Sequence, residues 1–303
     1  MPAQRQIYLN RFLLFAGTGL LILPLILYGG LHFLRPPQID KEQALFQGIF
    51  YRRVVRSTPR PLMIHIVSVD LKTPGVKVLV TPGMPTPDDT EINARTTSEF
   101  LNEFKLQLAI NGSFFYLFRE QTPWDYYPHS GDRVNVVGQA IANGRIYSKF
   151  ESKWPVVCFL SSNIAQIFDS GSCPKDTFAA VAGNEVLVAG GNGVSKNFNG
   201  NNNKPYPRVV VATNKKGDKL WLIAVDGKQP LYSEGVTMAE LTKIVMELGA
   251  YAALNLDGGG STTMVMATPS GASLLNAPIQ TKLPMRERPV ANHLGFYALP
   301  LQR

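Results

Sequence analysis

The 303-residue chain reads as an α+β protein. The expected core is a mixed, mostly antiparallel β-sheet domain with few helices, preceded by one N-terminal transmembrane helix. Three observations predict this. Short apolar runs of strand length, bounded by Gly, Pro, Asn and Asp, recur from Leu62 to Leu299, the pattern of sheet strands joined by turns. Only two stretches of that region pair a helix start signal with a helix-length run. Residues 12–34 carry no charge over a length that spans a hydrocarbon core of ~30 Å.

The organisation follows from charge and hydropathy. Residues 1–11 are a short tail with Arg5 and Arg11 and no acid, which keeps it in the cytoplasm. Residues 12–34 form the anchor. Pro24 inside it is tolerated, as prolines in membrane helices are. The alternative is a cleaved secretory signal, but the apolar run exceeds the usual h-region and Gly29-Gly30-Leu31 is a poor cleavage site. Residues 35–60 are a basic, polar stalk opened by Pro36-Pro37, with room for one short helix at 41–49. Residues 61–303 are the folded domain, placed beyond the membrane in the periplasm or at the cell surface.

The net charge of +8 suggests nucleic acid until it is located. Residues 1–60 hold eight Lys and Arg against two acids, and the rest of the chain holds 22 against 20. A phosphate-backbone binder carries its basic stripe on the folded domain, so nucleic acid is excluded as a partner. Cys158 and Cys173 can close a disulfide outside the cytoplasm or stand as two buried thiols. The absence of a CxxC pair or a Cys/His cluster argues against structural zinc.

The elements follow in order. Met63–Asp70 and Val76–Thr81 read as strands around the Thr73-Pro74-Gly75 turn. Pro82, Pro85, Pro87 and Asp88-Asp89 make a loop. Thr97–Phe104 reads as a helix started by Thr96 and Glu99. Leu106–Ile110 is a strand running into Asn111-Gly112-Ser113. The loop 116–132 is aromatic (Tyr116, Phe118, Trp124, Tyr126, Tyr127), fit to stack on a sugar face or to pack on the core. Asn143-Gly144 marks a hairpin. Val156–Leu160, Ile164–Phe168 and Phe178–Val188 are further strands, and 190–207 is a long Gly/Asn-rich loop. Pro207–Thr213 and Leu220–Val225 form a hairpin that ends in Asp226-Gly227-Lys228. Thr237 and Glu240 make a capping box for a helix whose Leu241, Ile244, Val245 and Leu248 share one face, with Gly249 as its C-terminal cap. Tyr251–Leu256 is a strand that meets Asp257-Gly258-Gly259-Gly260-Ser261, followed by Met264–Ala267, Ala272–Leu275 and Leu294–Leu299. Consecutive glycines imply a tight turn or a ligand close to the backbone, and a row of N–H groups there can nest an anion.

Four blocks, in this order, resemble the phosphodiester glycosidase family. They are Asn111-Gly-Ser-Phe-Phe115, then Pro207-Arg208 leading into Val225-Asp-Gly-Lys228, then Leu254-Asn-Leu-Asp-Gly-Gly-Gly-Ser261, and Glu287-Arg-Pro-Val-Ala-Asn292. Ser113 stands where the family has glycine. The resemblance spans about residues 105–300, and many bacterial members are linked to exopolysaccharides.

The resemblance implies hydrolysis of a sugar-1-phosphate diester in a surface or secreted glycan. Breaking the anomeric C–O bond passes through an oxocarbenium-like state. The leaving phosphate needs positive charge and N–H donors more than a proton. Arg208 and Arg288 are the candidate phosphate clamps, because a guanidinium grips phosphate with two N–H groups. Lys228 is a third, and the Gly258, Gly259, Gly260 and Ser261 backbone a fourth. Asp257 is the expected nucleophile or base, with Glu287 and Asp226 as alternatives, and Asn111 a candidate for a sugar hydroxyl. His65, His129 and His293 are set aside. No cofactor is required. A divalent cation on Asp257 and Asp226 belongs to an alternative in which the P–O bond is cut. A binding-only polysaccharide assembly protein is another, since fold does not fix function.

Overall fold

The computed structural model describes residues 28–84, 91–194 and 204–302. Most of the predicted anchor lies outside the described residues. Among the described residues no helix is long and apolar enough to cross a membrane.

Every strand pair in the three large sheets is antiparallel. The largest has eight strands. At its centre, Leu62–Asp70, Lys219–Val225, Arg208–Thr213 and Ala252–Leu256 lie side by side. A second sheet has five strands and is centred on Leu108–Asn111, between Met264–Thr268 and His293–Tyr297. A third, also of five, carries Val156–Leu160 and Thr177–Ala182. Together with two short helices, Thr97–Glu103 and Met238–Glu247, this is the expected β-rich α+β domain.

Alternation along the central strands explains why they are buried on both faces. Val209, Val211, Leu220, Leu222 and Ala224 face a core shared by all three sheets. Val210, Ala212, Ile223 and Val225 face the other way, onto Met238, Leu241, Ile244 and Val245 of the longer helix. Both predicted capping boxes form: Thr96 with Glu99, and Thr237 with Glu240. Each cap contributes ~1 kcal/mol. The Asn143-Gly144 turn is present with both residues left-handed, at φ 50° and 74°, joining Ala140–Ala142 to Arg145–Ser148.

Two expectations are corrected. The stalk, with its optional helix, contains the strands Lys41–Phe46 and Ile49–Arg56, which extend the eight-stranded sheet through Leu62–Asp70. Ile49, Tyr51 and Arg53 point inward. Arg53 is tolerated there because its Nε donates to the Ile39 carbonyl at 2.8 Å. Phe178–Val188 is two strands, Thr177–Ala182 and Glu185–Ala189, in different sheets. They part at Gly183, where a side chain would meet the Asn255 carbonyl at 2.2 Å. Residues 195–203 of the predicted Gly/Asn loop lie outside the described residues. Cys158 and Cys173 form a disulfide with Cα atoms 5.8 Å apart.

Candidate active site

The glycine turn is where the chain leaves one sheet for another. Ala252–Leu256 belongs to the eight-stranded sheet and Met264–Thr268 to the five-stranded one. Residues 257–263 bridge them. Val209 pairs with Leu256, so Arg208 opens its strand where Asp257 closes the neighbouring one. A cleft of about 340 Å³ sits over this junction. Asp257, Gly258, Arg208, Arg288, Tyr206, Asn184 and Asn255 line it, with Phe114, Phe115 and Phe118. Its size suits a small ligand. Larger cavities of about 590 and 1040 Å³ lie elsewhere and do not include these groups.

Asp257 sits at the floor. Burial pushes its carboxyl up to about 6, against the hydrogen bonds from Ser261 and Gly258 and the charge of Arg288, which pull it down. That shift brings it toward the range that suits a general base. Each nitrogen of Arg288 has one partner: Nε donates to Gln280 Oε1 at 2.7 Å and Nη1 to Ser261 Oγ at 3.2 Å. Nη2 is held by the Glu120 carboxylate. Its guanidinium lies 4.6 Å from the Phe118 ring centre. Arg208 is buried, which lowers its pKa, and its guanidinium is 5.3 Å from the Tyr206 ring centre.

The glycines are explained by close approach more than by anion nesting. A side chain at Gly258 would meet the Pro207 carbonyl at 2.6 Å, at Gly259 the Tyr206 hydroxyl at 2.7 Å, and at Gly260 the Arg288 guanidinium at 2.3 Å. Of the three, Gly259 alone has a left-handed backbone, at φ 64°. The amides of Gly259, Ser261 and Thr262 donate to Pro207, Gly258 and Gly259 carbonyls, so two of the four amides expected to face phosphate are used within the protein. Ser261 contributes through its hydroxyl instead.

Asp226, Glu287, Asn111 and Lys228 do not themselves line the cleft. Asp226 is buried among partners: Asn276 Nδ2 and the Ala277 amide donate to it at 2.9 and 3.0 Å, and His65 Nε2 at 3.0 Å. Tyr51 hydrogen-bonds His65 Nδ1 at 2.8 Å. His65, set aside for want of a partner, thus has two. Asn276 also donates to the Thr262 carbonyl, so Asp226 braces the turn from behind and does not line the cleft. Among the described residues no group of three or more His, Cys, Asp or Glu could hold a metal ion.

Glu287 accepts the Ser98 amide at 3.0 Å, at the start of the Thr97–Glu103 helix, where a carboxylate offsets the free N–H groups. Asn111 donates to the Asp257 carbonyl at 2.7 Å and accepts from Thr263 N at 3.1 Å. It clamps both ends of the turn. Ser113, standing in for glycine, donates its amide to Asn292 Oδ1 at 2.7 Å and accepts from Ala182 N at 3.1 Å. His293 is a buried core residue bonded to Thr81, and His129 is on the surface with Asp132. Lys228 is exposed and donates to the Tyr206 hydroxyl at 2.9 Å.

The structure adds Tyr206, Asn184, Asn255 and Glu120, which the sequence reading did not name. Asn255 donates to Asn184 Oδ1 at 2.7 Å. Glu120 arrives on a small hairpin, Arg119–Glu120 with Tyr126–Tyr127, within the stretch read as an aromatic loop. Arg286 pins the hairpin by donating to the Pro123 carbonyl at 2.8 Å and stacking on Tyr126 at 4.7 Å. Phe118 is the aromatic of this loop that lines the cleft, while Trp124 stays 87 % exposed.

One carboxylate, Asp257, and two arginines, Arg208 and Arg288, meet in one cleft on a β-rich frame. The phosphodiester glycosidase model matches residues 104–297, and the chain belongs to that family. No curated protein matches it. Two of the solved structures that match show the shared fold. One is the catalytic domain of zebrafish N-acetylglucosamine-1-phosphodiester alpha-N-acetylglucosaminidase, auto-inhibited by its pro-peptide, at 20 % identity and TM-score 0.56, covering 90 % of this chain and 92 % of that one. The other is a hypothetical protein from Synechocystis, at 14 % identity and TM-score 0.61, covering 87 % of this chain but 64 % of that one.

Proposed function

We propose that the chain hydrolyses the anomeric C–O bond of a sugar-1-phosphate diester in a surface or secreted glycan. The observation that carries this reading is the convergence of Asp257, Arg208 and Arg288 on one cleft. Arg208 and Arg288 hold the phosphoryl oxygens. Phe114, Phe115 and Phe118 give the sugar an apolar wall. Asp257, ionised above about pH 6, takes a proton from water as the water oxygen bonds to the anomeric carbon. The bond to the phosphate oxygen breaks, and its electron pair leaves with the phosphate monoester.

The domain works outside the cytoplasm, anchored through residues 12–34. The uncharged run suits a membrane anchor, and the Cys158–Cys173 bridge suits an oxidising compartment. Protease added to intact cells should cleave the domain; full protection would overturn the topology.

The activity test is release of free sugar from a sugar-1-phosphate diester in ¹⁸O water. Label in the sugar supports C–O cleavage. Label in the phosphate favours P–O cleavage, and loss of turnover in a chelator would then point to a metal. Tight binding with no sugar released supports a binding protein.

A further inference from the structure

Tyr206 is the cleft residue with the clearest unassigned chemistry. Its backbone is fixed by reciprocal bonds with Val236, at 3.2 and 3.1 Å. Its ring stands over the glycine turn so closely that a side chain at Gly259 would meet its hydroxyl at 2.7 Å. Lys228 Nζ donates to that hydroxyl oxygen at 2.9 Å and sits 4.3 Å from the ring centre. Arg208 approaches the same ring.

A hydroxyl that accepts from an ammonium keeps its own proton to donate, and the cation makes it a stronger donor. No acceptor among the described residues takes that proton. Tyr206 lines the cleft together with Asp257, Arg208 and Arg288.

We propose that Tyr206 donates a hydrogen bond to a phosphoryl oxygen of the substrate, and that Lys228 is its positioning residue, acting through the tyrosine without touching the phosphate. The inference rests on the sugar phosphodiester reading and deepens it. As the C–O bond breaks, the phosphoryl group gains a negative charge. A polarised O–H then bonds more strongly to the departing group than to the bound diester, the condition for an interaction to speed the reaction. No proton needs to be transferred from the tyrosine.

The test is inorganic phosphate binding to the full chain by calorimetry, for native protein, Tyr206→Phe, Lys228→Met, the double variant and Arg208→Gln. Phenylalanine keeps the ring stack, and a melting curve for each variant confirms folding. The expected result is about tenfold weaker phosphate binding in Tyr206→Phe. Lys228→Met should weaken it several-fold in the native background and hardly at all when Tyr206 is already Phe. Equal losses from Lys228→Met in both backgrounds would overturn the relay. Unchanged binding in Tyr206→Phe, with Arg208→Gln impaired, would overturn the inference and leave the phosphate cleft standing. Native protein that binds no phosphate would overturn both.

Discussion

Replacing Asp257 with Asn separates its chemistry from its cost to the fold. Asn keeps an oxygen for the Ser261 and Gly258 donors but cannot ionise. The native carboxyl moves from 3.8 to about 6 on folding, roughly 2 units at ~1.36 kcal/mol each. The ionised form therefore costs the fold about 3 kcal/mol at most, and partial exposure of Asp257 reduces this to ~1–3 kcal/mol. The folded pKa is the higher one. The stabilising contribution of the protonated acid is present below pH ~4 and lost as pH rises through about 6. Asp257→Asn escapes that loss. Its melting temperature relative to the native chain should climb by several degrees between pH 4 and 7.5. Its turnover should fall by at least ~10², while native kcat/KM rises with pH through about 6. Thermal melts across that range and a sugar-release assay check both. A stability gap that stays flat with pH, or a variant that keeps its turnover, refutes the role given to Asp257.

Gly260→Ala places a methyl 2.3 Å from Arg288 Nη2 and 2.6 Å from its Cζ. The guanidinium must shift, and turnover should drop ~10–100-fold with a stability loss of ~1–3 kcal/mol; unchanged kinetics would show that Arg288 is not held over the turn. Glu120→Gln removes the negative charge beside Arg288, so inorganic phosphate should bind several-fold more tightly, and weaker binding would mean that Glu120 chiefly orients the arginine. Serine at both Cys158 and Cys173 opens a bridge between residues 15 apart. The expected loss is ~3 kcal/mol, read by thermal melting, with turnover retained below the melting range.

The frame was legible where local rules agree with packing. Both capping boxes, the Asn143-Gly144 hairpin and the paired Arg208–Thr213 and Lys219–Val225 strands stand where the sequence places them. The Ile49–Arg56 strand was hidden because Arg53 occupies an inward position that alternation reserves for apolar residues. The site was legible only in part. Asp226 and Asp257 carry the same local signature, an apolar strand followed by Asp-Gly. What separates them is tertiary: Asp226 meets His65 and Asn276, which lie 161 and 50 residues away, and Asp257 meets the cleft. Glu120 and Tyr206 lie outside the regular strands that carry Asp257 and Arg208 to the cleft, so no pattern pointed to them. The three glycines were recognised as special, but which neighbour crowds each one depends on Pro207, Tyr206 and Arg288.

The two sides of the cleft are built on different terms. The floor is tied down from beneath by Asn111, Asn276 and, one step removed, Asp226 and His65. The outer wall is a short hairpin attached at Arg286 and Arg288. Its residues from Arg119 to Tyr126, other than Glu120 that holds Arg288, can therefore be exchanged or lengthened without disturbing the bonds that shape the floor. Under the proposed function, the glycan accepted can diverge through that wall while Asp257, Arg208 and Arg288 stay the same.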